Sequence, residues 1–168
     1  MNKIILSFTL LCIVCVKAQV AIGKKNVTNP SVSLEFADTE NRGFILPYVE
    51  EISGISQDGT IIYDSSDKKV KYLKSGSWFD LSVDTTGNAD LSIQTNKTEK
   101  TGAKVSIGTP TSTDGILVLE DSNKAMILPK VASPHVNIVD PAAGMMVYDT
   151  TSRQLAVYNG TVWSFWKP

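Results

Sequence analysis

Gly59-Thr60-Ile61-Ile62-Tyr63-Asp64 and, 85 positions further on, Gly144-Met145-Met146-Val147-Tyr148-Asp149 are one motif written twice. Each opens on glycine, runs through β-prone residues and closes on Tyr-Asp, so each reads as a strand entered and left by turns. The exit turns match as well, Ser65-Ser66-Asp67 in the first and Thr150-Thr151-Ser152 in the second. Downstream, Gly76-Ser77-Trp78 returns as Gly160-Thr161-Val162-Trp163. Upstream, Phe44-Ile45-Leu46-Pro47-Tyr48-Val49 returns as Met126-Ile127-Leu128-Pro129-Lys130-Val131 across a three-residue gap, with Gly43 opposite Ala125. Further upstream, Leu34-Glu35 returns as Leu119-Glu120, and Val20-Ala21-Ile22-Gly23 as Val105-Ser106-Ile107-Gly108. Matches kept in order over this length identify an internal duplication.

The fold class that follows is all-β: two tandem copies of a short β-meander repeat joined by a polar linker. The boundaries read as a leader over residues 1–18, copy one over 19–82, the linker over 83–104 and copy two over 105–168. Apolar residues alternate, as in Val32-Ser33-Leu34-Glu35-Phe36, and nothing after the leader sustains helical periodicity. In copy two the meander strands are Met145 to Asp149, Gln154 to Tyr158 and Thr161 to Trp166. Asn159-Gly160 between the last two predicts a type I′ hairpin with positive φ at both residues, and Ser75-Gly76 is its equivalent. Pro47 and Pro129 mark edges or strand ends. The linker has room for one strand, and Val49 to Ile55 for one helical turn.

A meander of about 25 residues cannot bury enough apolar area to offset its chain entropy alone. The last strand carries Trp163 and Phe165 on one side and Val162 and Trp166 on the other, so both faces need cover. The second copy, or the same copy in a neighbouring chain, can supply it.

Met1-Asn2-Lys3, the apolar stretch Ile4 to Val16, and Val16-Lys17-Ala18 form a signal peptide pattern with cleavage after Ala18. The apolar core is shorter than the roughly 20 residues that span a bilayer. The expected location is therefore exported: secreted or cell surface, with the periplasm as the other compartment. Cys12 and Cys15 both lie in the leader, so the mature chain has no disulfide and no cysteine metal ligand. Losing Lys3 and Lys17 from 16 basic residues leaves 14 against 17 acidic ones. That balance, with no basic run, argues against nucleic acid as a partner.

Catalytic machinery is not legible. The lone histidine, His135, falls in a loop-like Ala132-Ser133-Pro134-His135 context, and no Gly-x-Ser-x-Gly elbow accompanies it. Asp64 and Asp149 hold equivalent places but read as turn stabilisers doubled with the repeat. Asp84 to Asp90 has oxygen ligands around Gly87 without the spacing of a helix-loop-helix calcium site. No catalytic residue, metal ligand or cofactor is assigned. The candidate ligand or subunit contacts are Trp78, Tyr158, Trp163 and Trp166, since aromatic residues near hairpins serve both sugar stacking and subunit packing. Trp166 has no evident counterpart in copy one.

The order Ile-Gly, Leu-Glu, Ile-Leu-Pro-x-Val, Gly-x-x-x-Tyr-Asp and Gly-(x)-Trp resembles repeats of exported Bacteroidota proteins that carry Gly-Ile-Gly-Thr and GxxxY(D/N)…NGxxW segments. It is similar in pattern to phage tail-fibre repeats. Copy two is closer, with Ile107-Gly108-Thr109-Pro110 and Tyr158-Asn159-Gly160, whereas copy one has Lys24 after Ile22-Gly23 and Lys74-Ser75-Gly76. The resemblance implies an exported or fibre-like structural module, with homotrimeric assembly in the fibre setting and no catalytic residues to carry over. The function expected is thus a non-enzymatic structural or adhesive β-repeat protein that self-associates as a homo-oligomer, with a surface glycan or protein as a further partner. The alternative is a small secreted carbohydrate-binding module.

Overall fold

The computed structural model describes residues 19–167. The leader lies outside the described residues. Copy one supplies β1 (Val20–Ile22), β2 (Val32–Phe36), β3 (Phe44–Ile45), β4 (Tyr48–Val49), β5 (Ile61–Asp64), β6 (Lys69–Lys74) and β7 (Ser77–Asp80). Copy two supplies β8 (Val105–Gly108), β9 (Leu117–Glu120), β10 (Ala125–Ile127), β11 (Lys130–Val131), a single helical turn α1 (Pro134–Asn137), β12 (Met145–Asp149), β13 (Gln154–Tyr158) and β14 (Trp163–Trp166). Among the described residues the protein is all-β apart from that turn, and strand follows strand in the same order in both copies.

The duplication extends to individual hydrogen bonds. The Tyr63 amide donates to the Pro47 carbonyl and the Tyr148 amide to that of Pro129. Ser65 donates to Val49 as Thr150 does to Val131, and Gly59 to Leu73 as Gly144 does to Tyr158. Each copy therefore closes on a meander, β5-β6-β7 or β12-β13-β14, with a short parallel strand, β4 or β11, on the outer edge of its first strand. Each proline sits between two short strands, where its missing N–H costs no ladder bond and its carbonyl serves the next strand.

Two segments leave their own copy. β10 pairs in parallel with β2, Met126 facing Leu34. β3 pairs antiparallel with β12, Ile45 facing Met145 and Phe44 facing Met146. These are the two repeat-equivalent Ile-Leu-Pro segments, and each crosses to the opposite copy. The first strands differ only in register: Val20 faces Leu34, whereas Val105 faces Leu117, so Leu119 falls opposite Ile107. A slip of two residues keeps every side chain on its face, which a slip of one would not.

The principal core is shared between the copies. Leu46, Tyr63 and Val70 of copy one pack with Ala143, Met146 and Val157 of copy two. A second cluster, Val131, Ile138, Met145, Val147 and Ala156, lies on the far face of the copy-two meander, with Tyr158 and Trp163 against it. The unit too thin to stand alone is thus covered on one face by its sister copy.

Three local expectations are corrected. The linker, 83–104, contains turns but no strand. The Val49 to Ile55 segment forms only a hydrogen-bonded turn from the Ile55 amide to Ile52, whereas the helical turn forms in copy two, where this connection is three residues longer. The type I′ hairpin occurs at Ser75 (φ 51) and Gly76 (φ 69), but not at Asn159-Gly160, where only Gly160 has positive φ. Asn159 is held out of the left-handed region by its other bonds: its Oδ1 accepts the Thr161 amide at 2.9 Å and the Val162 amide at 2.7 Å.

Candidate self-association surface

The surface is best understood from the junction beneath it. Tyr63 is fully buried where the copies meet, its ring 5.3 Å from that of Tyr48 and its hydroxyl donating to the Asn159 carbonyl at 2.8 Å. Burial, with Tyr48 and Asp64 nearby, pushes the Tyr63 phenol up to about 12. The Asn159 Nδ2 donates to the carbonyl and to the carboxylate of Asp84, both at 2.9 Å. The Asp84 carboxyl is held below its ordinary value by the Thr86 hydroxyl and by this amide. The linker is therefore strapped onto the hairpin of copy two, and Thr161 adds a bond to the Thr86 carbonyl at 3.0 Å. Gly87 allows the close approach, since a β-carbon there would run into the Asn159 carbonyl and lie 3.0 Å from the Tyr63 hydroxyl.

The four aromatic residues singled out in the sequence are distributed over three places. Tyr158 and Trp163 meet at 5.1 Å; Trp163 continues to Phe165 at 6.4 Å, and Phe165 meets His135 edge-on at 5.6 Å. His135 lies on α1 rather than in a loop, and it serves as one wall of this aromatic row. Trp78 stands apart on β7, opposite Leu73, in the place that Trp163 holds opposite Tyr158. Trp166 does have a counterpart: Leu81 donates its amide to Val70 where Trp166 pairs with Leu155, the equivalent of Val70. The Trp166 indole N–H donates to that same Leu81 carbonyl region of copy one, while its ring stays exposed. Phe165 is exposed, as is Val136 beside His135 on α1; Val139 and Val162 of the same copy are exposed as well.

Strand edges form the second part of the surface. β2 lies between β1 and β10, and its first four residues are buried. Its equivalent, β9, pairs only with β8 among the described residues, and none of its four residues is fully buried. On β12 the Met145–Met146 half is covered by β3. The matching half of the copy-one strand, Thr60 and Ile61, has no such partner on that side among the described residues.

The carboxylates are structural in geometry. Asp64 Oδ1 accepts the amides of Ser66 and Asp67, and Asp149 Oδ1 those of Thr151 and Ser152, which makes both turn caps. Asp149 Oδ1 also accepts the Ser133 amide at 3.0 Å. Burial pushes the Asp149 carboxyl up, but these N–H groups outweigh it and hold it below its usual value.

Residues whose roles were not foreseen from sequence include Tyr63 and Asn159 at the junction and, within each copy, Glu35 and Glu120. Glu35 accepts the Thr28 amide at 2.6 Å and hydroxyl at 3.1 Å, with Lys24 at 2.6 Å. Glu120 accepts the Thr111 amide at 3.0 Å and hydroxyl at 2.6 Å, with Lys104 at 3.3 Å and the Ser106 hydroxyl. A glutamate returning in both copies inside an apolar strand is the signal that could have found this clasp, because a charge there needs partners.

Residues 105–167 match a family model described as a phage tail like trimerisation region. No curated protein matches the chain, and no solved structure does.

Proposed function

We propose that this chain is a non-enzymatic, exported, fibre-like structural protein that self-associates as a homotrimer, with copy two as the assembling half. The observation that carries the reading is the match of residues 105–167 to a trimerisation region. It falls on the half where Val136, Val139, Val162, Phe165 and Trp166 are exposed, apolar side chains of the kind that a subunit contact covers. The clasped carboxylates support a scaffold role, since Asp64 and Asp149 each cap a turn through Oδ1 and Glu35 and Glu120 each hold a loop.

Export rests on Met1 to Ala18, and is checked by N-terminal sequencing of the protein recovered from the medium or envelope, which should begin at Gln19. Adhesion to a surface glycan or protein is the further role that an exported fibre would serve. The oligomer is tested by sedimentation equilibrium of the mature chain at micromolar concentration. Three chains per particle are expected, falling to one when Phe165 and Val139 are both replaced by serine. A folded monomer across the concentration range would overturn the reading.

The carbohydrate-binding alternative is favoured by one observation, the exposed Trp166 ring with its N–H already satisfied. Binding on a glycan array that is lost in Trp166→Ala would establish it.

A further inference from the structure

The duplication shows what is missing at one end of the molecule. In copy one, the outer edge of β2 holds an Ile-Leu-Pro segment, β10, borrowed from the other copy. In copy two, the outer edge of β9 holds no strand among the described residues. The other Ile-Leu-Pro segment, β3, is paired among the described residues on one side only, with β12, and its Ile45 is exposed. A strand edge with unpaired amides and carbonyls next to apolar side chains is a template for another strand.

The geometry points to strand complementation between chains: β3 of a second copy of this chain pairs in parallel with the open edge of β9. This rests on the homotrimer reading and gives it a geometry. The register follows from the pair already formed. Val20 faces Leu34 and Val105 faces Leu117, so Leu117 stands where Leu34 does. Met126, the counterpart of Phe44, faces Leu34, and Ile127 faces Glu35. Phe44 of the second copy is therefore placed against Leu117, and its Ile45 against Val118. The bond covers the half-buried side chains of β9 as β10 covers those of β2. Donor and acceptor edges differ, so the contact is head-to-tail, and such a contact closes into a ring when the rotation allows it. Three copies give that ring, with each chain lending β3 forward and receiving at β9.

Two single-cysteine proteins test this, because the mature chain has no cysteine of its own. Ile45→Cys and Val118→Cys are purified separately, mixed, allowed to exchange subunits and oxidised. A reducible cross-linked dimer is expected in the mixture and not in either protein alone. If sedimentation shows a trimer and no mixed disulfide forms, strand complementation is overturned while the homotrimer stands. If sedimentation shows a monomer, both fall. Hydrogen exchange on the unsubstituted chain gives a second reading free of folding defects in the variants. The amides of Leu117 and Leu119, which alternate away from β8, are expected to slow by about tenfold or more between dilute and concentrated protein. Exchange that is independent of concentration in a sample shown to associate overturns the proposal.

Discussion

Copies one and two place the same residues at equivalent positions and use them differently. Tyr63 is 0% exposed and bridges the copies, whereas its counterpart Tyr148 is 37% exposed. Asp64 and Asp149 cap the same turn, yet Asp64 also accepts Lys71 at 3.0 Å, while the residue in the place of Lys71 is Ala156 and Asp149 Oδ2 is buried without a partner. Ser75-Gly76 makes a two-residue turn to solvent, whereas Asn159-Gly160 is drawn into the junction. Duplication preserved the backbone, and position relative to the junction decided what each side chain does.

The largest effect that could break this comparison is at the tyrosines. Tyr63→Ala removes a buried ring from the shared core and should cost about 3–5 kcal/mol, against about 0.5 kcal/mol for Tyr148→Ala at the surface. Urea denaturation of the two variants measures the difference, and equal losses would refute the asymmetry. Asn159→Ala comes next. It leaves two loop amides and the Asp84 groups without their partner, and a cost of about 2–3 kcal/mol is expected from unmet buried polar groups, again by urea midpoint.

Lys71→Met is smaller than its burial suggests. Breaking a buried ion pair costs about 3–5 kcal/mol when the remaining charge has nothing else. Asp64 keeps two turn amides, and Asp149 already holds its place in copy two without a lysine. Lys71 also bonds the half-exposed Asp67, and a loss of about 1.5–3 kcal/mol is expected from its charged hydrogen bonds alone. Asp149 has a third amide, that of Ser133, which Asp64 lacks, and a loss above about 3 kcal/mol in thermal or chemical unfolding would mean that this amide rather than the two turn amides holds the carboxylate in copy two.

The smallest effect is a pH dependence. The Ser106 and Thr111 hydroxyls, the Thr111 amide and Lys104 hold the Glu120 carboxyl at about 2, below its ordinary 4.5. Burial pushes Glu35 up, but Lys24 and Thr28 hold it below the ordinary value. A carboxyl depressed by folding contributes stability that is full above the unfolded value and is lost as the pH falls toward the folded one. Stability should therefore be level above pH 4.5 and decline from there toward about 2, with a shallower decline in Glu120→Gln. A chain whose stability rises on acidification through that window contradicts the clasp.

The duplicated meander, its turns and its all-β character were legible because each depends on local pattern: alternation, glycine punctuation and paired motifs at fixed spacing. The exchange of β3 and β10 was not, because a two- or three-residue strand carries no mark of which edge it joins. Asn159-Gly160 misled for a related reason. The dipeptide fits a type I′ turn in isolation, but the asparagine Oδ1 takes the Thr161 and Val162 amides while Tyr63 and Asp84, 96 and 75 positions away in sequence, hold the rest of the residue. Trp166 seemed unpaired because its counterpart Leu81 is not aromatic, so only the register reveals the equivalence.

The central claim is that two thin copies share one core and so fold as one body. Trp78 reports on copy one when Trp163 and Trp166 are replaced by phenylalanine, and the latter pair report on copy two when Trp78 is replaced. Guanidinium unfolding followed by tryptophan fluorescence, with each protein referenced to its own far-ultraviolet dichroism, is predicted to give coincident transitions in each case. Separate midpoints, with one copy losing its fluorescence signal while the dichroism still reports a folded half, would contradict it.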